Sequence, residues 1–318
     1  MTTSTRVLRS EEMPLKIVFM GTPAYAVPTL DALVAAGHEV LWVVAQPDKP
    51  SGRGQALQAP PTVERARALG IPTRQPKALR SGPFPGNLRA LGADVGVVVA
   101  YGRILTPELL QAPRLGCVNG HGSLLPAWRG AAPMQWSLLS GDAETGVTTM
   151  LMDEGLDTGD MLLREAISIG EDETFTQLSA RLAALTASLM VSTLAALDGL
   201  TPTPQDHSLA THARPLTKDD GRLDWTRPAR ALKDQVRALE LWPGTFCGRG
   251  GEVIKVKRAR VVEGEGAPGA VIEAAERLVV ACGAGALEIL EAQAPNKRAV
   301  GARDFINGAR VRAGEVWT

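Results

Sequence analysis

The chain has 318 residues, room for two domains, and its 34 basic and 34 acidic residues cancel to a formal net charge of zero. Hydrophobic residues make up 45% and charged residues 21%, an ordinary globular balance with no apolar run long enough to suggest a membrane span. Zero net charge supplies no global field toward nucleic acid, so any such contact must be local. Three widely spaced cysteines, Cys117, Cys247 and Cys282, argue against a disulfide framework or a Cys-rich zinc site and suit a reducing cytoplasm.

Residues 1–12 are polar and lack the apolar block of a signal peptide, so a disordered tail is expected, or a start at Met13. Leu15 to Met20 is an apolar run ending at Gly21 and predicts a buried strand. Tyr25 to Ala36 has helical spacing through Val27, Leu30 and Val34, with Gly37 placed as a C-terminal cap. Val40 to Ala45 predicts a second strand. Strands alternating with amphipathic helices indicate an α/β fold with a parallel sheet. The turn at Gly21-Thr22-Pro23 lacks the further glycines of a dinucleotide fingerprint, so NAD binding is disfavoured.

Gln46 to Gln55 is rich in Pro and Gly and long for a βα connection. It reads either as a surface loop or as a substrate-contacting loop led by Lys49 and Arg53. Helix is expected at 62–69, 132–139 and 175–197, and strand at 93–100, 117–119 and 147–152. Leu178, Leu182, Leu185 and Leu189 form one apolar stripe on the longest helix. Tyr101-Gly102 follows the strand at 93–100, at the carboxyl edge where open α/β sheets place ligands. Thr201 to Asp206, with two prolines, has the composition of a linker. Beyond it come a helix at 228–238 and short strands at 253–256, 270–273, 278–281 and 287–291. That texture predicts a small β-barrel or sandwich.

The chemistry concentrates in residues 119–161. Of four histidines only His121 lies among turn residues at the expected sheet edge, and a histidine beside a carboxylate is suited to acid or electrostatic work. Asn119 precedes it by two, so an extended segment turns both side chains the same way. An Asn amide stabilises an oxyanion without titrating. Asp157, in Gly155-Leu156-Asp157-Thr158-Gly159, presents a carboxylate from a turn. Together the three could serve acyl transfer to an amine. Asp153, Asp157 and Asp160 lack EF-hand spacing, so no metal is expected. No nucleophile elbow surrounds Ser123, for which helix N-capping is the expected local role.

Asn119-Gly120-His121-Gly122-Ser123-Leu124-Leu125-Pro126, Trp128 to Pro133, Gly141 to Thr148 and Gly155 to Asp160 resemble the methionyl-tRNA formyltransferase family. The resemblance extends to Phe19 to Pro23, Gln46 to Pro50 with Gly52-Arg53-Gly54, Val99 to Gly102, Leu216 to Arg222, Trp242-Pro243-Gly244 and Asp304 to Gly308. It implies a Rossmann-like formyltransferase domain at 13–200, a linker at 201–214 and a smaller OB-like β-barrel domain at 215–318 that binds tRNA. It implies formyl transfer from 10-formyltetrahydrofolate to the amino group of methionyl initiator tRNA, by a cytoplasmic monomer. Asn119, His121 and Asp157 match the family's catalytic trio. Ser123, Leu124, Leu125 and Pro126 match its folate-contacting segment, with Tyr101 and Gly102 as pocket wall.

In the same resemblance the 46–54 loop, with Lys49 and Arg53, reaches toward the acceptor stem, and Lys218 and Arg222 are further tRNA contacts. Ala127, Gln55, Ala56, Glu240 and Leu241 depart from the family pattern, which puts weight on Arg53 and Lys49 for phosphate attraction. Lys255, Lys257, Arg258 and Arg260 read either as a phosphate-facing strip or as a solvated face. A related formyl hydrolase, a sugar-nucleotide formyltransferase, or a folate- or RNA-binding module without catalysis are the alternatives.

Overall fold

The computed structural model describes residues 14–51 and 56–318. The expected tail at 1–12, Arg53 and Gln55 lie outside them. The chain forms two compact units, each drawn from three stretches of the sequence. The first comprises Met1–Arg129, Gly146–Glu165 and Leu182–Ala210, and the second Gly130–Thr145, Ala166–Arg181 and Thr211–Thr318.

In chain order the strands up to residue 168 are β1 (Lys16–Gly21), β2 (Glu39–Val44), β3 (Lys49–Ser51), β4 (Ala56–Gln58), β5 (Thr73–Arg74), β6 (Val95–Val99), β7 (Cys117–His121), β8 (Arg129–Gly130), β9 (Glu144–Leu151) and β10 (Met161–Ser168). The helices among and after them are α1 (Val27–Ala35), α2 (Pro61–Ala68), α3 (Phe84–Ala90), α4 (Pro107–Leu110), α5 (Pro133–Leu139) and α6 (Phe175–Ala195). Seven strands make one sheet in the order β10-β9-β7-β6-β1-β2-β5. β1 pairs in parallel with β2 and β6, and β6 with β7, while β9 runs antiparallel to β7. The strand order therefore reverses between β1 and β6, the position where doubly wound sheets open a crevice at their carboxyl ends.

The apolar runs behave as their composition dictates. Ile17, Phe19, Val43, Val97, Val99 and Val118 are buried, packed with Leu30, Leu33, Met190 and Leu194. On the other face Val18, Met20, Val98 and Tyr101 pack with Phe84, Leu88, Leu105 and Leu109. A helix of α6's length and composition could cross a bilayer, but burial of Leu178, Leu182, Leu189, Met190 and Leu194 accounts for its apolarity. Gly37 takes the left-handed φ of +86° expected of a cap.

Two expectations need correction. The 46–55 stretch is more than a loop, because Lys49 pairs with Gln58 and Pro50 with Leu57 in an antiparallel β3–β4 ladder. Its strands are too short and too proline-rich to show period-2 alternation. Ser123 caps no helix. Its hydroxyl donates to the Ala127 carbonyl at 2.6 Å, closing a tight loop.

In the second unit a helix, α7 (Ala229–Ala238), is followed by β12 (Thr245–Arg249), β13 (Glu252–Val262), β14 (Val271–Ala274), β15 (Leu278–Ala281), β16 (Ala286–Gln293), β17 (Val300–Gly301) and α8 (Ala302–Ala309), after β11 (His212–Ala213). The sheet order is β12-β13-β16-β15-β14, antiparallel, with β17 also on β16. Leu232, Ile254, Leu278, Leu287, Phe305 and Trp317 fill its core.

The polar face of α7 is buried as well. Lys233, Asp234 and Arg237 are 6%, 3% and 6% exposed. Lys233 pairs with Asp172, Arg237 Nε with Asp234 at 2.7 Å, and Arg237 Nη1 donates to the carbonyls of Gly170 and Glu173, each at 3.0 Å. Buried charges persist only when paired and hydrogen-bonded, and residues 170–173 supply those partners.

Candidate active site

β7 ends at His121. Strand geometry puts Asn119 and His121 on one face and Gly120 on the other. Gly120 is required by packing: a Cβ there would lie 2.7 Å from Thr186 Cγ2 and 3.3 Å from Met190 Cε. A backbone this close to α6 leaves no room for any side chain between the two polar residues.

The His121 ring is half tied down. Its Nε2 lies 2.9 Å from the Trp128 carbonyl, and a carbonyl only accepts, so Nε2 carries a proton. Nδ1 is therefore the ring atom left for chemistry. It faces the Asp157 carboxylate at 3.7 Å, with the side chains 7% and 12% exposed. That spacing suits an ion pair and is too long for a hydrogen bond. A proton on Nδ1 makes His121 a cation opposite the carboxylate.

Asp157 reaches this position by a route that spacing could not reveal. The β7–β9 register pairs His121 with Thr148 and Val118 with Leu151, so β9 leaves the sheet near the start of β7. The 152–160 segment then folds back along β7 to deliver Asp157. Asp157 sits at φ +54°, unusual for a residue other than glycine. Asp153 fixes the first half of the turn, accepting from Gly155 N at 3.0 Å and Thr158 Oγ1 at 2.7 Å. Of the crowded carboxylates, Asp153 thus works as a local acceptor. Among the described residues no cluster of three His, Cys, Asp or Glu is arranged to hold a metal ion.

Asn119 is half-buried, and its Oδ1 is buried with no hydrogen-bond partner among the described residues. Such an orphan in a native site calls for an explanation, and here the atom lies on the same face as the reactive ring.

The 123–126 loop is internally braced. Thr148 Oγ1 donates to the Ser123 carbonyl at 2.8 Å and accepts from Leu125 N at 3.0 Å, while Arg164 donates to the Leu125 carbonyl at 3.2 Å. Ser123 and Leu125 are buried, and Leu124 and Pro126 half-buried. Tyr101 is a core residue, and burial pushes its phenol pKa up against the opposing pull of Arg103. Its carbonyl accepts from Thr22 Oγ1 at 3.1 Å and Gln46 Nε2 at 3.0 Å, knitting together the carboxyl ends of β1, β2 and β6. Gly102 is exposed at φ +73°. A separate cavity of about 490 Å³, lined by Trp42, Arg74, Lys77 and Phe84 among others, includes none of these residues.

Lys49 is exposed on β3, and Lys218 and Arg222 are exposed on either side of a short turn, Asp219–Gly221. Of the basic strip on β13, Arg260 is paired with Glu288 at 2.8 Å, while Lys255 and Arg258 are exposed. The Glu240 carboxylate acts locally, accepting from Thr176 N at 2.6 Å in the first turn of α6. Thr148 and Gln205 were not visible as site residues in the sequence. Thr148 offered only the faint signal of a hydroxyl inside an apolar strand, and Gln205 is buried within a stretch of linker composition.

The formyl transferase model matches residues 15–194, and the formyl transferase C-terminal domain model matches residues 215–310. The methionyl-tRNA formyltransferase of Anaeromyxobacter dehalogenans is 50% identical over 304 residues, 93% of this chain and 97% of its own length. That of Parvibaculum lavamentivorans is 49% identical over 95% of this chain and 99% of its own. Among solved structures, HypX from Aquifex aeolicus in complex with tetrahydrofolic acid has a TM-score of 0.65 at 14% identity, over 96% of this chain and 51% of that one. The N-formyltransferase from Helicobacter canadensis has a TM-score of 0.66 at 15% identity, over 89% of this chain and 100% of that one. At such identities the structures speak for the fold alone, and the full-length relatives speak for the family. A Rossmann-like sheet followed by an antiparallel β domain, with both family models matched in order, makes this chain a member of the methionyl-tRNA formyltransferase family.

Proposed function

We propose that Asn119, His121 and Asp157 perform the transfer of a formyl group from 10-formyltetrahydrofolate to the amino group of methionyl initiator tRNA. The observation that carries this reading is the convergence of Asn119 and His121 on one face of β7 with the Asp157 carboxylate 3.7 Å from His121 Nδ1. The neutral amine attacks the formyl carbon, forming a C–N bond and placing negative charge on the formyl oxygen. The Asn119 amide N–H and the His121 Nδ1–H stabilise that charge. The 3.7 Å gap leaves Nδ1–H unsaturated by Asp157, so the oxyanion can share it. Asp157 takes the proton the amine loses, and the tetrahedral adduct collapses by breaking the bond to N10. N10 leaves with that proton as tetrahydrofolate. The buried Asn119 Oδ1 fits a site completed by substrate, because both the attacking amine and the departing N10 bring an N–H donor.

In this reading the braced 123–126 loop, with Tyr101 and Gly102, forms the folate side of the site. Lys49, Arg53, Lys218 and Arg222 meet the RNA backbone. The enzyme works as a monomer in the cytoplasm, where charged tRNA is consumed. Parallel assays with methionyl initiator tRNA, methionyl elongator tRNA and a free amino-sugar nucleotide test the acceptor. Formylation of initiator tRNA alone is expected, and formylation of the sugar nucleotide alone refutes the assignment. Alanine at each trio position should lower kcat on the order of 10²–10⁴-fold with the thermal midpoint preserved. Near-normal turnover by folded His121→Ala refutes the chemistry.

A further inference from the structure

The turn that presents Asp157 is held by a polar relay with no part in the chemical steps of formyl transfer. Gln205 is 5% exposed and Arg129 4%. Gln205 Nε2 donates to the Asp157 carbonyl at 3.0 Å and to the Gly159 carbonyl at 2.7 Å. Its Oε1 accepts from Arg129 Nε at 3.0 Å and Nη2 at 2.7 Å. The amide orientation is chemically forced, since a guanidinium only donates and carbonyls only accept. Both amide hydrogens and both lone pairs of Oε1 are consumed, leaving Gln205 one rotamer.

Arg129 is anchored in turn. Its Nη1 donates to His207 Nδ1 at 3.1 Å, so uncharged acceptors on Gln205 and His207 hold this buried guanidinium. That is a costly arrangement for a merely space-filling role. Gly159 adds a second constraint, because a Cβ there would lie 1.8 Å from the Leu151 carbonyl. The turn is thus pressed against β9 on one side and gripped by an amide on the other. Between those two points stands the one residue of the turn whose carboxylate faces His121, held at φ +54°.

We propose that Gln205, fixed by Arg129, is a positioning residue that sets the left-handed backbone of Asp157 and so the distance between its carboxylate and His121 Nδ1. The inference rests on the reading of Asp157 as the proton-accepting carboxylate. Gln205→Glu is the discriminating variant. It keeps the acceptor for Arg129, now as an ion pair, and removes both N–H donors to the turn while adding charge opposite two carbonyls. The expected result is a fall in kcat on the order of 10²-fold, with KM for both substrates changed by less than about threefold. The limb of the pH–kcat profile that Asp157→Asn abolishes should shift.

In an Asp157→Asn background, Gln205→Glu should cost almost nothing further, because it acts through the group already removed. Wild-type kcat in Gln205→Glu, or a loss that multiplies fully with that of Asp157→Asn, overturns the inference and leaves the trio standing. High activity in Asp157→Asn overturns the trio, and this inference with it. If Gln205→Glu does not fold, Arg129→Met with Gln205→Met removes the cation and the amide together, so that neither is left buried without the other, and the same comparison applies.

Discussion

Replacing Gly120 by alanine tests whether the packing of β7 on α6 holds the reactive side chains in place. The added Cβ would meet Thr186 Cγ2 at 2.7 Å and Met190 Cε at 3.3 Å. Met190 can yield, but Thr186 is fully buried, and its hydroxyl donates to the Leu182 carbonyl at 2.7 Å and contacts the Tyr25 hydroxyl at 2.7 Å. Turning Thr186 aside breaks those bonds, so the strand must move instead. Overpacking of this kind costs about 1–3 kcal/mol, a fall in the thermal midpoint of roughly 2–12 °C at 2–4 °C per kcal/mol for a unit of this size. Because the moving strand bears Asn119 and His121, kcat should fall even where the protein remains folded. Thr186→Ser removes Cγ2 and keeps the hydroxyl. In the double variant it should restore about 1 kcal/mol of the loss as a coupling energy, read by urea denaturation of all four proteins, together with part of kcat. Stability of Gly120→Ala within about 0.5 kcal/mol of the parent, or no coupling in the double variant, refutes the close-approach argument.

Thr148→Val leaves the Leu125 N–H without its buried acceptor, and should cost about 1–3 kcal/mol in denaturation. If the 123–126 loop contacts folate, the variant also raises KM for the formyl donor while kcat changes less. Asp220 accepts from Arg214 at 2.8 Å and from Thr217 N at 2.6 Å, and the guanidinium holds its carboxyl well below the usual range. Its stabilising effect is therefore present above the unfolded value near 3.9 and is lost as pH falls through the lower folded value. Asp220→Asn should lower stability at neutral pH and flatten the acid decline below about pH 4, measured as urea midpoints across pH. Burial pushes the thiols of Cys117 and Cys247 up to about 12 and that of Cys282 to about 11. A thiol reagent at pH 8 should leave all three unmodified until denaturant is added, and fast labelling of the native protein contradicts their burial.

Much of the first unit was legible because its strands are buried on both faces. Runs such as Val95 to Val99 have no polar period to confuse, and a helix as long as α6 announces itself by its leucine stripe. The Asn119–His121 alternation was equally plain once a strand was expected there. Asp157 was different. Its glycine-flanked turn marked it as a presentable carboxylate, but its approach to His121 depends on a register and a backward fold that no local pattern encodes. The β3–β4 hairpin escaped because proline and glycine mask strand character. Gln205 escaped because a buried amide in a proline-rich stretch looks like any other polar linker residue. The buried Lys233, Asp234 and Arg237 mark the same limit, since charges on a helix cannot reveal from their own sequence that residues 170–173 will cover them.

That covering has a consequence for synthesis. The second unit draws on Gly130–Thr145 and Ala166–Arg181, whereas its strands and α7 come after residue 210. At about 5–20 residues per second, these early segments emerge roughly 3–20 s before α7 supplies their partners. The first unit has all its segments once Ala210 has emerged from the ribosome, so it can close while the two excursions remain as loops. Ribosome-bound chains arrested at a length where Ala210 has cleared the exit tunnel and α7 has not should then resist protease in the first unit and be cut within 130–145 and 166–181. Protection of those segments at that length would show that they find other partners first. Emergence of the segments after residue 210, and not the early growth of the chain, thus sets when the second unit can fold.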